Sequence, residues 1–241
     1  MKTAIVTGSN RGIGRAIALR LAQDGMNVVL CARDRELLEA TASEIGPNAL
    51  AVPVDLRRPD AAAKVAAAAL AKFGAIDVLV NNAGATKRGD FEALTDEDFI
   101  DGFALKFFGA VRMTRAVWAE LRKQSGALVN IVGAGGRTPG AMFTIGGSVN
   151  AAMLSFTKAM SEKGIQDGVQ VNAINPGPVR TARLQTRLKD TTEEAFRREE
   201  RIARIGEPED IAALVSFVLS GHGRLLQGSL IDADGGQTKT I

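Results

Sequence analysis

No tyrosine occurs in the 241 residues, and cysteine, histidine and tryptophan occur once each. Without tyrosine, no phenol is available as a proton donor for any chemistry the chain performs. A single thiol, Cys31, cannot close a disulfide within the chain, and one Cys with one His cannot supply a metal cage of nitrogen and sulfur ligands. No stretch offers the roughly 18 uninterrupted apolar residues of a membrane span. Met1–Thr7 runs straight into a strand-like segment, with no basic leader and no small-residue cleavage site. Excess charge is also small: 30 Lys and Arg against 27 Asp and Glu leave +3, little support for a nucleic-acid partner. The densest basic stretch (Arg197, Arg198, Arg201, Arg204) is interleaved with Glu193, Glu194, Glu199 and Glu200, as on a solvated helix face. These features fit a cytoplasmic protein that binds neither nucleic acid nor membrane and holds no metal.

What the chain does contain is a strict alternation. Aliphatic runs at Thr3–Thr7, Asn27–Ala32, Ala49–Val54, Asp77–Asn81, Ala127–Val132, Gln170–Asn175 and Ser229–Ala233 predict strands. Their near-continuous apolar character suits a parallel sheet covered on both faces. Between them, helices are predicted at Gly12–Gln23, Arg35–Glu44, Asp60–Phe73, Thr95–Lys123, Ser148–Lys163 and Pro208–Leu219. The fold class is therefore α/β, a doubly wound Rossmann-type parallel sheet of about seven strands. With no linker or repeat, residues 1–241 read as one domain. Only 178–206, polar and helix-prone, breaks the rhythm, and it is expected to be a lid or insertion.

The first strand runs into Thr7-Gly8-Ser9-Asn10-Arg11-Gly12-Ile13-Gly14, which opens the first helix. Glycines there permit a tight turn, and the helix N-terminus offers free N–H groups to a pyrophosphate. The spacing Gly8, Gly12, Gly14 resembles the short-chain dehydrogenase/reductase family. So do Asn81-Asn82-Ala83-Gly84, Val54-Asp55-Leu56, Asn175-Pro176-Gly177-Pro178-Val179-Arg180-Thr181 and Asp232-Ala233-Asp234-Gly235-Gly236, in order along the chain.

The resemblance implies a dinucleotide held by Gly8, Ser9, Asn10, Arg11, Gly12, Ile13 and Gly14 at the turn, with Asp55 and Leu56 at the adenine. Asn82, Ala83 and Gly84 would also contact it, and Pro176, Gly177, Val179 and Thr181 would lie at its nicotinamide side. A carboxylate ending the second strand would bind the ribose diol of NAD. That strand instead ends Leu30-Cys31-Ala32-Arg33, and Asp34 comes too late and suits a helix start. Arg11 and Arg33 would both reach a 2′-phosphate, so NADP(H) is expected over NAD(H). The alternative is that both are surface arginines. Cys31 reads as strand packing.

The same resemblance implies an Asn–Ser–Tyr–Lys catalytic set, in which Tyr protonates a carbonyl and Lys, near the ribose, lowers the Tyr pKa. Counting from neighbouring motifs puts Lys106 at the Asn, Gly133 at the Ser, Gly146 at the Tyr and Asn150 at the Lys. A longer spacing puts Phe143 at the Tyr and again Asn150 at the Lys. Asn150 thereby joins the expected cofactor-binding set, and the usual carbonyl-reductase mechanism is not expected.

Lys106 is the catalytic candidate, polarising or protonating a carbonyl, against the alternative of a lysine snorkelling to solvent. Thr144 and Ser148 carry hydroxyls beside the Tyr position, although Ser148 equally suits a helix N-cap. Arg137 suits either an anionic substrate or solvent, and His222 lies in a glycine loop. Three classes stay open: an NADP(H)-dependent oxidoreductase with a rearranged acid, a non-catalytic NADP(H)-binding sensor or partner subunit, and a lyase or hydrolase. The resemblance also implies that helices Thr95–Lys123 and Ser148–Lys163 pair between copies in a homo-oligomer, a dimer or tetramer; the alternative, that they only pack on the sheet, is not separable by sequence.

Overall fold

A computed structural model of the protein describes residues 1–239. The single-domain expectation also takes in residues 240 and 241, which lie outside the described residues. Seven strands, β1 (Thr3–Thr7), β2 (Asn27–Ala32), β3 (Ala49–Pro53), β4 (Val78–Asn81), β5 (Ala127–Ile131), β6 (Gln170–Pro176) and β7 (Leu230–Ala233), form one sheet. Their order is β3-β2-β1-β4-β5-β6-β7, and every pair is parallel. β1 is central, with Ile5 opposite Val29 on one side and Leu79 on the other. Strand order reverses between β1 and β4, so the loops after these two strands diverge and leave a crevice.

Both faces are covered. α1 (Gly12–Gln23), α2 (Arg35–Ile45) and α9 (Pro208–Leu219) bury Ile17, Leu21, Leu38, Ile211 and Val215 on one face. α3 (Ala61–Phe73) and α5 (Gly109–Gln124) bury Val65, Ala69, Met113, Val117 and Leu121 on the other. There α3 presents mainly alanines, so it lies close against the sheet. α6 (Thr144–Asp167) packs Met153 and Leu154 beside Val132 and Ala173. A buried amide chain crosses this half: Asn81 donates to Thr114 and Asn130, and Asn130 donates to Thr157.

Three helix expectations need correction. Thr95–Lys123 is not one regular helix. Thr95 and Asp98 form a capping box that starts α4 (Asp96–Phe103), and a π turn at Ala104–Phe108 joins it to α5. One extra residue per turn leaves the apolar period almost intact, so sequence does not reveal it.

α6 starts at Thr144 rather than Ser148, which puts exposed Ser148 inside the helix and not at its N-cap. The first turn carries Gly146 and Gly147, poor helix formers that tertiary packing retains: a Cβ on Gly147 would stand 2.8 Å from Pro139. The mixed-charge face covers only α8 (Glu193–Glu200), because Arg201 turns left-handed at φ 56° and takes itself and Arg204 off the helix.

Segment 178–206 folds back on itself. Arg180 N–H donates to the Gly206 carbonyl and Gly206 N–H to that of Pro178, pinning its two ends together. Between them α7 (Ala182–Arg187) and α8 enclose a small cluster of Leu184, Phe196, Ile202 and Ile205.

Candidate active site

The crevice at the β1/β4 switch is a cleft of about 1170 Å³. That is ample for a dinucleotide with a small second molecule. Its floor is built by close approach. The Thr7 hydroxyl accepts hydrogen bonds from Asn82 N–H and Ala83 N–H, both at 2.9 Å, tying the end of β1 to the end of β4. Asn82 Nδ2 donates to the Thr7 and Gly8 carbonyls. Gly8 and Gly12 have φ of 67° and 54°, and a Cβ on Gly14 would lie 2.3 Å from both Asn82 Nδ2 and the Gly8 carbonyl. Only glycine fits this cradle. α1 begins directly above it with no side-chain cap, so its first N–H groups stay available.

Of the residues expected to hold a dinucleotide, all but Ser9 and Asp55 line this cleft. The buried Ser9 hydroxyl accepts from Cys31 N–H and is spent inside the turn. The Asp55 carboxylate turns to Arg57, accepting from its backbone N–H and pairing with its guanidinium at 3.5 Å. Asp34 is occupied as the cap of α2, accepting from Leu37 N–H. Among the described residues, Arg11 and Arg33 make no side-chain hydrogen bond or ion pair, and both open into the cleft. Burial pushes the Cys31 thiol up to about 12, so it stays protonated and inert.

The far half of the cleft holds the residues singled out for chemistry. Lys106 sits on the π turn, and its Nζ donates to the Asn150 Oδ1 at 2.6 Å and to the Val132 carbonyl. Burial, aided by the charge of Arg183, brings its pKa down to about 7. Two glycines make this contact possible. A Cβ on Gly84 would stand 2.9 Å from Lys106 Cδ, and one on Gly133 would stand 3.1 Å from Asn150 Nδ2. Gly133 also has φ 131°, which a serine rarely adopts.

Phe143, just before α6, covers Gly146, where a Cβ would stand 1.9 Å from its ring. Gly146 is thereby screened from the cleft, and Phe143 lines it instead. The Arg88 guanidinium lies over that ring, its central carbon 3.9 Å from the centroid. Arg88 stays exposed to solvent, and partial desolvation first, then the Arg187 charge, draws its pKa below the usual arginine value.

Other candidates lie elsewhere. Thr144, Ser148, Arg137 and His222 do not line the cleft. Arg137 is not a free loop arginine, since it pairs with Asp232 at 2.5 Å. His222 is exposed in a short turn beside Ser220. Sequence reasoning missed Arg88, Arg183 and Arg187, which line the cleft from an irregular loop and from α7. Their only sequence signal was proximity to the Asn82-Ala83-Gly84 and Pro176–Thr181 motifs.

The fold and this glycine cradle agree with what the chain is similar to. The short chain dehydrogenase family profile matches residues 2–192. An uncharacterised oxidoreductase of Mycobacterium tuberculosis is 33% identical over 243 residues, covering 98% of this chain and 92% of that protein. The chain therefore belongs to the short chain dehydrogenase family. Among solved structures, an NADPH-bound short chain oxidoreductase of Pseudomonas aeruginosa PAO1, containing an atypical catalytic center, superposes with TM-score 0.94. It is 27% identical and covers 100% of this chain and 98% of its own. The 3-ketoacyl-(acyl-carrier-protein) reductase of Brucella melitensis, complexed with NADH, gives TM-score 0.91 at 30% identity, covering 98% of both chains. Among the described residues, no helix is long and apolar enough to cross a membrane, and no group of three or more His, Cys, Asp or Glu could hold a metal ion.

Proposed function

We propose that the protein is an NADP(H)-dependent oxidoreductase in which Lys106 takes over the proton-donor role that tyrosine has elsewhere in the family. The observation carrying this reading is the 2.6 Å contact between Lys106 and Asn150 at the cleft wall. Lys106 stands at the family's Asn position and Asn150 at its Lys position, so an ammonium and an amide are kept but exchanged between helices.

The dinucleotide would rest on the Gly8–Gly14 turn, the Asn82–Gly84 loop and Pro176–Thr181. The two solved relatives carry NADPH in one case and NADH in the other, so the cofactor choice rests on Arg11 and Arg33. Two guanidiniums without a side-chain partner among the described residues, at the turns after β1 and β2, would suit a 2′-phosphate. Bound NADPH supplies the hydride to the carbonyl carbon.

Lys106 handles the oxygen. Its two fixed partners are both acceptors and consume two N–H groups, leaving one position on Nζ for the cleft. In the ammonium form that position is an N–H, which polarises the carbonyl and donates the proton as the alkoxide develops; solvent then restores it. In the neutral form it is a lone pair, which serves the reverse reaction. A pKa near 7 balances the two forms at neutral pH. Asn150 Oδ1 and the Val132 carbonyl orient the amine.

Exposed Ile100 and Phe108, on α4 and the π turn, fit the expected pairing of this region between copies in a dimer or tetramer. Calorimetric titration with NADPH and NADH, followed by NADPH consumption on a panel of ketones, enones and imines, tests the whole reading. Tight NADPH binding with turnover on one class is expected. Binding without turnover on any class would make the chain a non-catalytic NADP(H)-binding protein instead.

A further inference from the structure

The charges lining the cleft are lopsided: Arg11, Arg33, Arg88, Lys106, Arg183 and Arg187 against Asp34 and Glu200. Most of these have an assignment. Arg11 and Arg33 face the adenosine end, and Asp34 caps α2. Arg187 pairs with Glu200, and Arg183 reaches across the cleft to donate to the Gly84 carbonyl at 3.0 Å. Arg88 is left over. Among the described residues it makes no hydrogen bond and no ion pair, and its one contact of note is the Phe143 ring.

That contact matters for what the guanidinium can do. With its central carbon over the ring and no hydrogen bond among the described residues, the guanidinium keeps its N–H donors free for a ligand. A planar edge of parallel donors matches a carboxylate or phosphate, which accepts two bonds at once. The location is equally specific. The position of a Cβ on Gly135 would be 3.0 Å from the Phe143 ring and 3.8 Å from Asn150 Nδ2, so the ring bearing Arg88 neighbours the Lys106–Asn150 pair. Glu200, the acid nearest in charge terms, is already engaged by Arg187 and by Gln237 Nε2.

We infer that Arg88, seated over the Phe143 ring, binds the anionic group of a small carbonyl substrate, a carboxylate or a phosphate, while Lys106 faces its carbonyl. This deepens the oxidoreductase reading and rests on it for the carbonyl, whereas the anion site stands on the Arg88 geometry alone.

The test is calorimetric titration with oxalate, inorganic phosphate and uncharged oxamide, with and without saturating NADP+, on the wild type and Arg88→Gln. Oxalate or phosphate should bind, oxamide should not, and Arg88→Gln should weaken the anion about 10- to 100-fold while NADP+ affinity stays within about twofold. Whichever of the two anions binds more tightly identifies the group. Equal anion binding in both proteins, or no binding of either anion, overturns the inference.

A second measurement needs no variant: NADPH consumption by the wild type on 2-oxo acids and on their methyl esters. Faster reduction of the acids supports the inference. Faster reduction of the esters overturns it and leaves the oxidoreductase reading intact. Arg88-dependent anion binding without turnover of any carbonyl overturns the oxidoreductase reading and leaves the anion site standing.

Discussion

Gly146→Ala asks whether the tyrosine position is merely vacant or has been rebuilt around Phe143. Glycine within a helix is destabilising relative to alanine by up to about 1 kcal/mol, so in open space the substitution would stabilise the protein. Here the new Cβ would stand 1.9, 2.0 and 2.5 Å from three atoms of the Phe143 ring. The ring is also hemmed in by Arg88 over it and by Gly135, where an added Cβ would stand 3.0 Å from it. Overpacking of this kind costs about 1–3 kcal/mol. In the Phe143→Ala background the obstacle is gone and the helix preference should reassert itself.

The expectation is therefore a change of sign. Gly146→Ala lowers the melting temperature by several degrees in the wild type and raises it slightly in Phe143→Ala, at roughly 2–4 °C per kcal/mol for a chain of this size. Thermal unfolding of the four proteins of the cycle measures it. Equal stabilisation in both backgrounds would refute the packing argument. By the same reasoning, Gly146→Tyr with Asn150→Lys should not restore tyrosine chemistry.

Three further outcomes are expected. Arg33→Ala should weaken NADPH about 10- to 100-fold by titration and leave NADH unchanged, since only the former has a 2′-phosphate to lose. Asn130→Ala should destabilise the protein by about 1–3 kcal/mol in denaturant unfolding, because it takes one buried hydrogen-bond partner each from Asn81 Nδ2 and the Thr157 hydroxyl. Lys106 should leave a pH signature in the cofactor-free protein. Its folded pKa near 7 lies below its unfolded value near 10.5, so between these the unfolded state binds more protons and stability rises with pH. Relative to Lys106→Met, the wild type should gain stability from pH 7 to 10 and run parallel below 7; curves parallel throughout would contradict this.

The seven strands were legible because buried parallel strands are aliphatic on both faces, and their ends fell within one residue of the aliphatic runs. The nucleotide cradle was legible for a different reason: a turn that forbids any Cβ leaves glycines at fixed spacing. Lys106, Gly133, Gly146 and Asn150 could each be located by neighbouring motifs, yet nothing in the order of residues says that Lys106 touches Asn150, 44 positions away. Lys106 makes that contact from the π turn, which hides within helical periodicity. Phe143 over Gly146 depends on a ring orientation set by packing. Arg88 lies in a loop with no period at all, and its contact with Phe143 joins segments that only the fold brings together.

The central claim is that Lys106 supplies the proton. Its most direct test is the pH dependence of kcat for NADPH-driven carbonyl reduction, in the wild type and in Lys106→Met. The donor must be charged, so the wild-type rate should hold below pH 7 and fall as pH rises through about 7, with the reverse oxidation rising over the same range. Lys106→Met should lose about 10²- to 10⁴-fold in kcat and the pH step with it, while still binding NADPH. A Lys106→Met enzyme that keeps both the rate and the step near pH 7 would contradict the claim.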